Sequence, residues 1–304
     1  ESVYQSLWLP LQKALSSADL ELLFWLDLVQ RDARIKQSET YSGQQARMDR
    51  LDTEAEIEAE VTRFARLGAL LATILDPSRE SDGKVRRRLE RLTAWGTTTV
   101  YPLLLHLFER RAHGGATSEQ LTAAMLYVES FFVRRLLIGR ATNNINRILL
   151  GIVTEMDPTA PVDEAVRAYL STGRKYYASD DVLRAAMVTV PFYLNGRPGQ
   201  RALVLRWLEE SYASKEPVDP AGLSVEHVLP QTPTPAWRAA IEMGVEPGEN
   251  AEEVYEALVH TVGNLTLTGY NSELSNAEFA VKRQKLASSG IAMNQEIAAL
   301  DRWG

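Results

Sequence analysis

The run Val225-Glu226-His227-Val228-Leu229-Pro230-Gln231 sets an imidazole beside a carboxylate in an otherwise apolar stretch of a chain that has only four histidines. Downstream come His260, Gly263-Asn264-Leu265-Thr266-Leu267 and Asn271, the last followed by Leu274-Ser275-Asn276, Phe279 and Lys282-Arg283. Histidine titrates near neutral pH and suits deprotonation of water. Amide and carboxylate oxygens suit a hard cation such as magnesium, which keeps several waters and takes few protein ligands. An imidazole base and an oxygen-held cation are together the means of hydrolysing an anionic ester, because the cation offsets the charge that repels hydroxide.

These side chains need rigid elements to aim them. "LSVEHVLP" and "NLTLT" read as strands, 251–259 as a short helix between them, and 276–288 as a helix after them, with "TPTP" a loop. The order is therefore strand, long insertion, strand, helix. Up to about residue 212 the apolar residues recur at three- and four-residue intervals, which predicts helices. Thr53-Glu54-Ala55-Glu56 opens one of them as a capping box, with Ile57, Val61, Phe64, Leu67, Leu71 and Ile74 as its stripe and Asp76-Pro77 as its stop. Other helices are expected from Leu20 to Val29, from Tyr101 to Arg111, from Thr117 to about Glu155, and near 162–171, 180–194 and 198–212. Regions 32–52 and 76–83 read as loops. Asn143-Asn144-Ile145-Asn146 is a polar cluster in an apolar segment, either a helix interruption or part of a substrate surface. The polar connector Ser214–Pro220 separates an expected helical domain, 1–215, from a smaller domain, 216–304, packed on it.

Composition narrows the chemistry. The 304 residues include no cysteine, which excludes disulfides, thiolate zinc sites and cysteine nucleophiles. A hydrophobic content of 45% with 24% charged residues describes a globular chain with no run of membrane-spanning length. Cytoplasmic residence without a membrane is the expectation, and Asn264-Leu265-Thr266 then has no meaning as a glycosylation acceptor. A net charge of −7 argues against whole-surface attraction to nucleic acid but permits a local basic groove. Lys84-Val85-Arg86-Arg87-Arg88, and Arg134-Arg135 with Arg140 and Arg147, either line such a path or are faces paired with acids. His106 and His113 read as structural.

Glu-His-Val-Leu-Pro-Gln, Gly-Asn-Leu-Thr-Leu and the asparagines and Lys282-Arg283 after them, over roughly 221–290, resemble the HNH-type C-terminal domain of the GmrSD family of modification-dependent restriction endonucleases. The helical part, including "FFVRRLLIGRATNNINRIL", resembles that family more loosely. The family includes the SspE-type nicking enzymes, which act against phage alongside phosphorothioate DNA modification, and these motifs do not separate them from other members. The resemblance implies a mainly α fold, a helical bundle-like body with a C-terminal ββα-metal element, and metal-dependent hydrolysis of DNA phosphodiesters. It makes His227 the general base, Asn271 the metal-binding residue at the strand-to-helix turn and Asn264 the amide that holds the base's loop. Glu226 matches the acid that faces the metal, provided the strand bends, since neighbours on a flat strand face opposite ways. His260 is placed to contact the metal, the phosphate or the leaving group, and Lys282, Arg283 and Lys285 to meet DNA phosphate.

One Mg2+ or Mn2+ ion is the implied cofactor and phage DNA the implied partner. The chain begins at Glu1 without Met, which fits a fragment preceded by a nucleotide-hydrolysing or modification-sensing domain. Two further readings follow from the same residues: a helical regulatory domain with an inactive HNH-like appendix, and a nuclease that cuts RNA.

Overall fold

A computed structural model describes residues 3–141 and 143–303, and helices dominate it. The chain divides into two compact units, Glu1–Phe131 with Thr142–Tyr177, and Phe132–Ala141 with Ala178–Gly304. Among the described residues no helix is long and apolar enough to cross a membrane.

The first unit is built from α1 (Leu9–Ala14), α2 (Ser17–Val29), α3 (Thr40–Met48), α4 (Glu54–Leu75), α5 (Gly83–Trp95), α6 (Tyr101–Ala112), most of α7 (Ser118–Leu137), α8 (Ile145–Glu155) and α9 (Val162–Ser171). Thr53 starts α4 as its sequence predicts: its hydroxyl accepts from the Glu56 N–H, and the Glu56 carboxylate accepts from the Thr53 N–H. Phe64, Leu67, Leu71 and Ile74 are buried, but Ile57, the first of the expected stripe, is exposed in the opening turn. Buried Asp27 is neutralised by Arg47 and Arg63, which Glu60 also binds. On α5, Arg88 and Arg91 pair with buried Glu129, so part of that basic group is paired with an acid.

Two expectations fail here. The region 32–52 is not all loop, because it contains α3. The segment from Thr117 to Glu155 is not one helix: Gly139, at φ 65°, takes a left-handed turn after α7, and α8 begins only at Ile145. Asn143 and Asn144 lie in the turn that precedes α8.

The second unit holds α10 (Asp180–Thr189), α11 (Pro198–Ser211), β1 (Ser224–His227), α12 (Pro235–Gly244), α13 (Ala251–Leu258), β2 (Leu265–Thr268), α14 (Asn271–Leu274), α15 (Phe279–Leu286) and α16 (Ala292–Ala298). β1 and β2 are antiparallel, with Ser224 opposite Thr268 and His227 opposite Leu265. The stretch read as the loop "TPTP" starts α12, because Thr234 caps the helix and Pro235 occupies its first turn. Val228 and Leu229, directly after His227, enter different cores. Val228 packs with Leu274, Leu286 and Ile297, whereas Leu229 packs with Trp237, Tyr255 and Val259. The exit of β1 is thus held on both sides by buried apolar side chains.

Candidate active site

Asn264 ties β1 to the turn before β2. Its Oδ1 accepts from the Leu229 N–H at 2.7 Å and from the Trp303 indole N–H at 3.0 Å, while Nδ2 donates to Leu229 O at 2.9 Å and Val259 O at 2.8 Å. Val228 N–H adds a bond to Asn264 O. The side chain is buried with every bond engaged, so it is a positioning group and not a reactive one. Tyr255 reinforces the same bend by placing its hydroxyl on Pro230 O and Gln231 O. Asn264→Ala is expected to cost about 3 kcal/mol or more, since each buried group left unpaired costs about 1–3 kcal/mol. Urea unfolding measures it, and a loss under about 1 kcal/mol, the net worth of one ordinary hydrogen bond, contradicts the clamp.

The loop so fixed carries His227 into a group of rings. His227 Nε2 lies 3.4 Å from His260 Nδ1, and the Gln231 amide nitrogen lies 3.3 Å from His227 Nδ1. The Tyr193 ring stands against His227 at 4.4 Å and 77° and lies nearly parallel to His260 at 5.7 Å and 12°. Tyr193 N–H donates to His260 O, its own carbonyl accepts from Arg201, and the Arg201 guanidinium covers its ring at 4.7 Å. Burial pushes the His227 imidazole down to about 4, helped by the nearby positive charges of His260 and Lys282. Burial also lowers His260. The His227 ring is therefore neutral at pH 7.

Glu226 points the other way. Its Oε1 receives the Lys282 amine at 2.7 Å, and the same amine donates to His227 O at 2.7 Å. Lys282 is 0% exposed and Glu226 8%. Strand alternation wins over the bend that the sequence allowed, so Glu226 and His227 face opposite sides of β1. This corrects two expectations. Glu226 is committed to a lysine and not to the face of the imidazole, and Lys282 is buried and does not reach a DNA phosphate. Burial raises the Glu226 carboxyl and lowers the Lys282 amine, and each partly restores the other's charge.

Asn271 opens α14 and donates through Nδ2 to Val225 O, two residues before His227 on the same strand, a span of about 7 Å. Its Oδ1 is buried and has no hydrogen-bond partner. A buried unpaired oxygen is costly, and an amide oxygen of this kind is chemically suited to a hard cation. Among the described residues no group of three His, Cys, Asp or Glu side chains could hold a metal. Arg283 and Lys285 lie at the surface in pairs with Asp301 and Glu273.

Sequence reasoning missed Tyr193, Arg201 and the contact of Gln231. Only Gln231 had a local signal, standing four residues after His227 in the quoted run. No curated protein matches the chain. Residues 177–304, which nearly coincide with the second part of the second unit, match the family described as GmrSD restriction endonucleases, C-terminal domain. Over residues 177–304 the chain is thus similar to the C-terminal domain of the GmrSD restriction endonucleases.

Proposed function

We propose that this domain is a metal-dependent DNA endonuclease of an anti-phage restriction system, nicking or cutting by hydrolysis at a ββα-metal site made of β1, β2 and α14. The observation that carries the proposal is the pairing of a clamped, neutral imidazole on β1 with the unpartnered Asn271 oxygen beside the same strand. The family supports the reaction class.

In this reading Asn271 Oδ1 would hold a magnesium or manganese ion, whose positive charge would offset the charge of the phosphate. The His227 imidazole, with His260 beside it, accepts the proton of the attacking water. Asn264 keeps β1 and its exit rigid, so that the base is aimed and not merely present. Lys282 serves the same end through His227 O. Arg283 and Lys285, whose exposed ion pairs are weak, exchange their carboxylates for DNA phosphates.

Supercoiled plasmid tests the assignment. Incubation of the chain with Mg2+ or Mn2+ is expected to give nicked or linear DNA, and chelation to stop it. Folded protein that leaves plasmid intact with both ions refutes the proposal, and cutting of RNA with DNA untouched refutes the substrate.

A further inference from the structure

Arg201, in the second turn of α11, is held without a counter-ion. Its Nη1 donates to Tyr193 O, and its guanidinium lies over the Tyr193 ring at 4.7 Å from the centroid. Nε and Nη2 have no hydrogen-bond partner among the described residues, and neither is shut away from solvent. No carboxylate of the described residues pairs with Arg201, although the chain has 40 acidic residues against 33 lysines and arginines. Arg238, Lys282, Arg283 and Lys285 of the same unit each meet one. A guanidinium so placed is already ordered and carries an unspent charge.

Tyr193 fixes where that charge stands. Its N–H donates to His260 O, its ring lies along His260 at 5.7 Å, and the same ring meets His227 at 4.4 Å. The guanidinium is thus one aromatic ring away from the imidazole that accepts the water proton. The phosphate attacked by that water is one water molecule away from the same imidazole. Resting on the nuclease reading above, we infer that Arg201 binds this DNA phosphate, with Nε–H and Nη2–H donating to its oxygens. The planar fork matches a phosphate in a way that a lysine does not, and a bond between two charged groups is stronger than a neutral one. Contact with Tyr193 orders the side chain beforehand, so little freedom is lost when DNA arrives. Arg283 and Lys285 must give up a carboxylate to do the same, whereas Arg201 has none to release.

Two substitutions in the full chain isolate the charge. Arg201→Gln retains an amide donor for Tyr193 O without the cation, and Arg201→Lys retains the cation without the fork. Affinity for a fluorescently labelled DNA duplex is measured in EDTA at several salt concentrations, and plasmid nicking is measured with Mn2+. Arg201→Gln is expected to reduce the steepness of log affinity against log salt by about 1, the share of a single phosphate contact. It is also expected to lose about 10- to 100-fold in kcat/KM, the worth of a charged hydrogen bond. Arg201→Lys is expected to keep the wild-type salt dependence and to recover only part of the rate. Unchanged salt dependence in Arg201→Gln overturns the inference even where cutting is slow, because a residue that merely supports Tyr193 affects the rate without touching phosphate. Equal nicking rates in all three chains overturn it equally and leave the nuclease reading standing. Reduced salt dependence in Arg201→Gln, from a wild type that cuts no DNA, upholds the phosphate contact and refutes the nuclease reading alone.

Discussion

His227→Ala is expected to lower kcat for metal-dependent cleavage by about 10²- to 10⁴-fold, the contribution typical of a positioned base. In the proposed reaction this ring accepts the proton of the attacking water, with His260 Nδ1 3.4 Å from its Nε2. The pH dependence has a definite sign. With its folded pKa near 4 and an ordinary value of 6.5, His227 stays in the basic form until pH falls through about 4. Activity is therefore expected to persist below pH 6 and to fall only toward pH 4, as a profile of kcat/KM against pH reports. For stability, the unfolded chain binds this proton first, so between 6.5 and about 4 acid weakens the fold. His227→Ala removes that slope. A kinetic break at the ordinary histidine value contradicts the burial that defines the site.

The second large effect belongs to stability. Lys282→Met leaves the Glu226 carboxylate buried without its cation, and breaking a buried pair from one side costs about 3–5 kcal/mol. The same change deletes the bond to His227 O, so activity is expected to fall with stability. Combining Lys282→Met with Glu226→Leu removes the stranded charge, and most of the lost stability is expected to return, because paired replacement by apolar groups is often neutral. Urea unfolding of both variants distinguishes this account from one in which Lys282 binds DNA. In that case Lys282→Met would weaken DNA binding and leave the midpoint unchanged.

What the sequence disclosed about this site follows from the range over which each signal acts. β1 and β2 were legible because alternating and β-branched residues mark strands locally, and the motif residues lie on or beside them. The capping box of α4 was legible for the same reason. The partnership of Glu226 with Lys282 spans 56 positions and depends on which face of β1 the later helices cover, which no local pattern encodes. Tyr193 lies before the polar connector and reaches His260 only through tertiary folding. The α12 helix was hidden by its own start signal, since Thr234-Pro235 reads equally as a loop and as a capped first turn. Gly139 ended α7 inside a run whose periodicity continued beyond it, an instance of one residue's backbone preference prevailing over the surrounding pattern.

Diffraction from crystals soaked in Mn2+, recorded at the manganese edge, tests the central claim most directly. The account predicts one anomalous peak about 2.0–2.2 Å from Asn271 Oδ1, close to octahedral oxygen-ligand distances, beside β1 and missing from Asn271→Ala crystals. Wild-type crystals with Asn271 Oδ1 bare, or with manganese bound only at a distance from β1, contradict it.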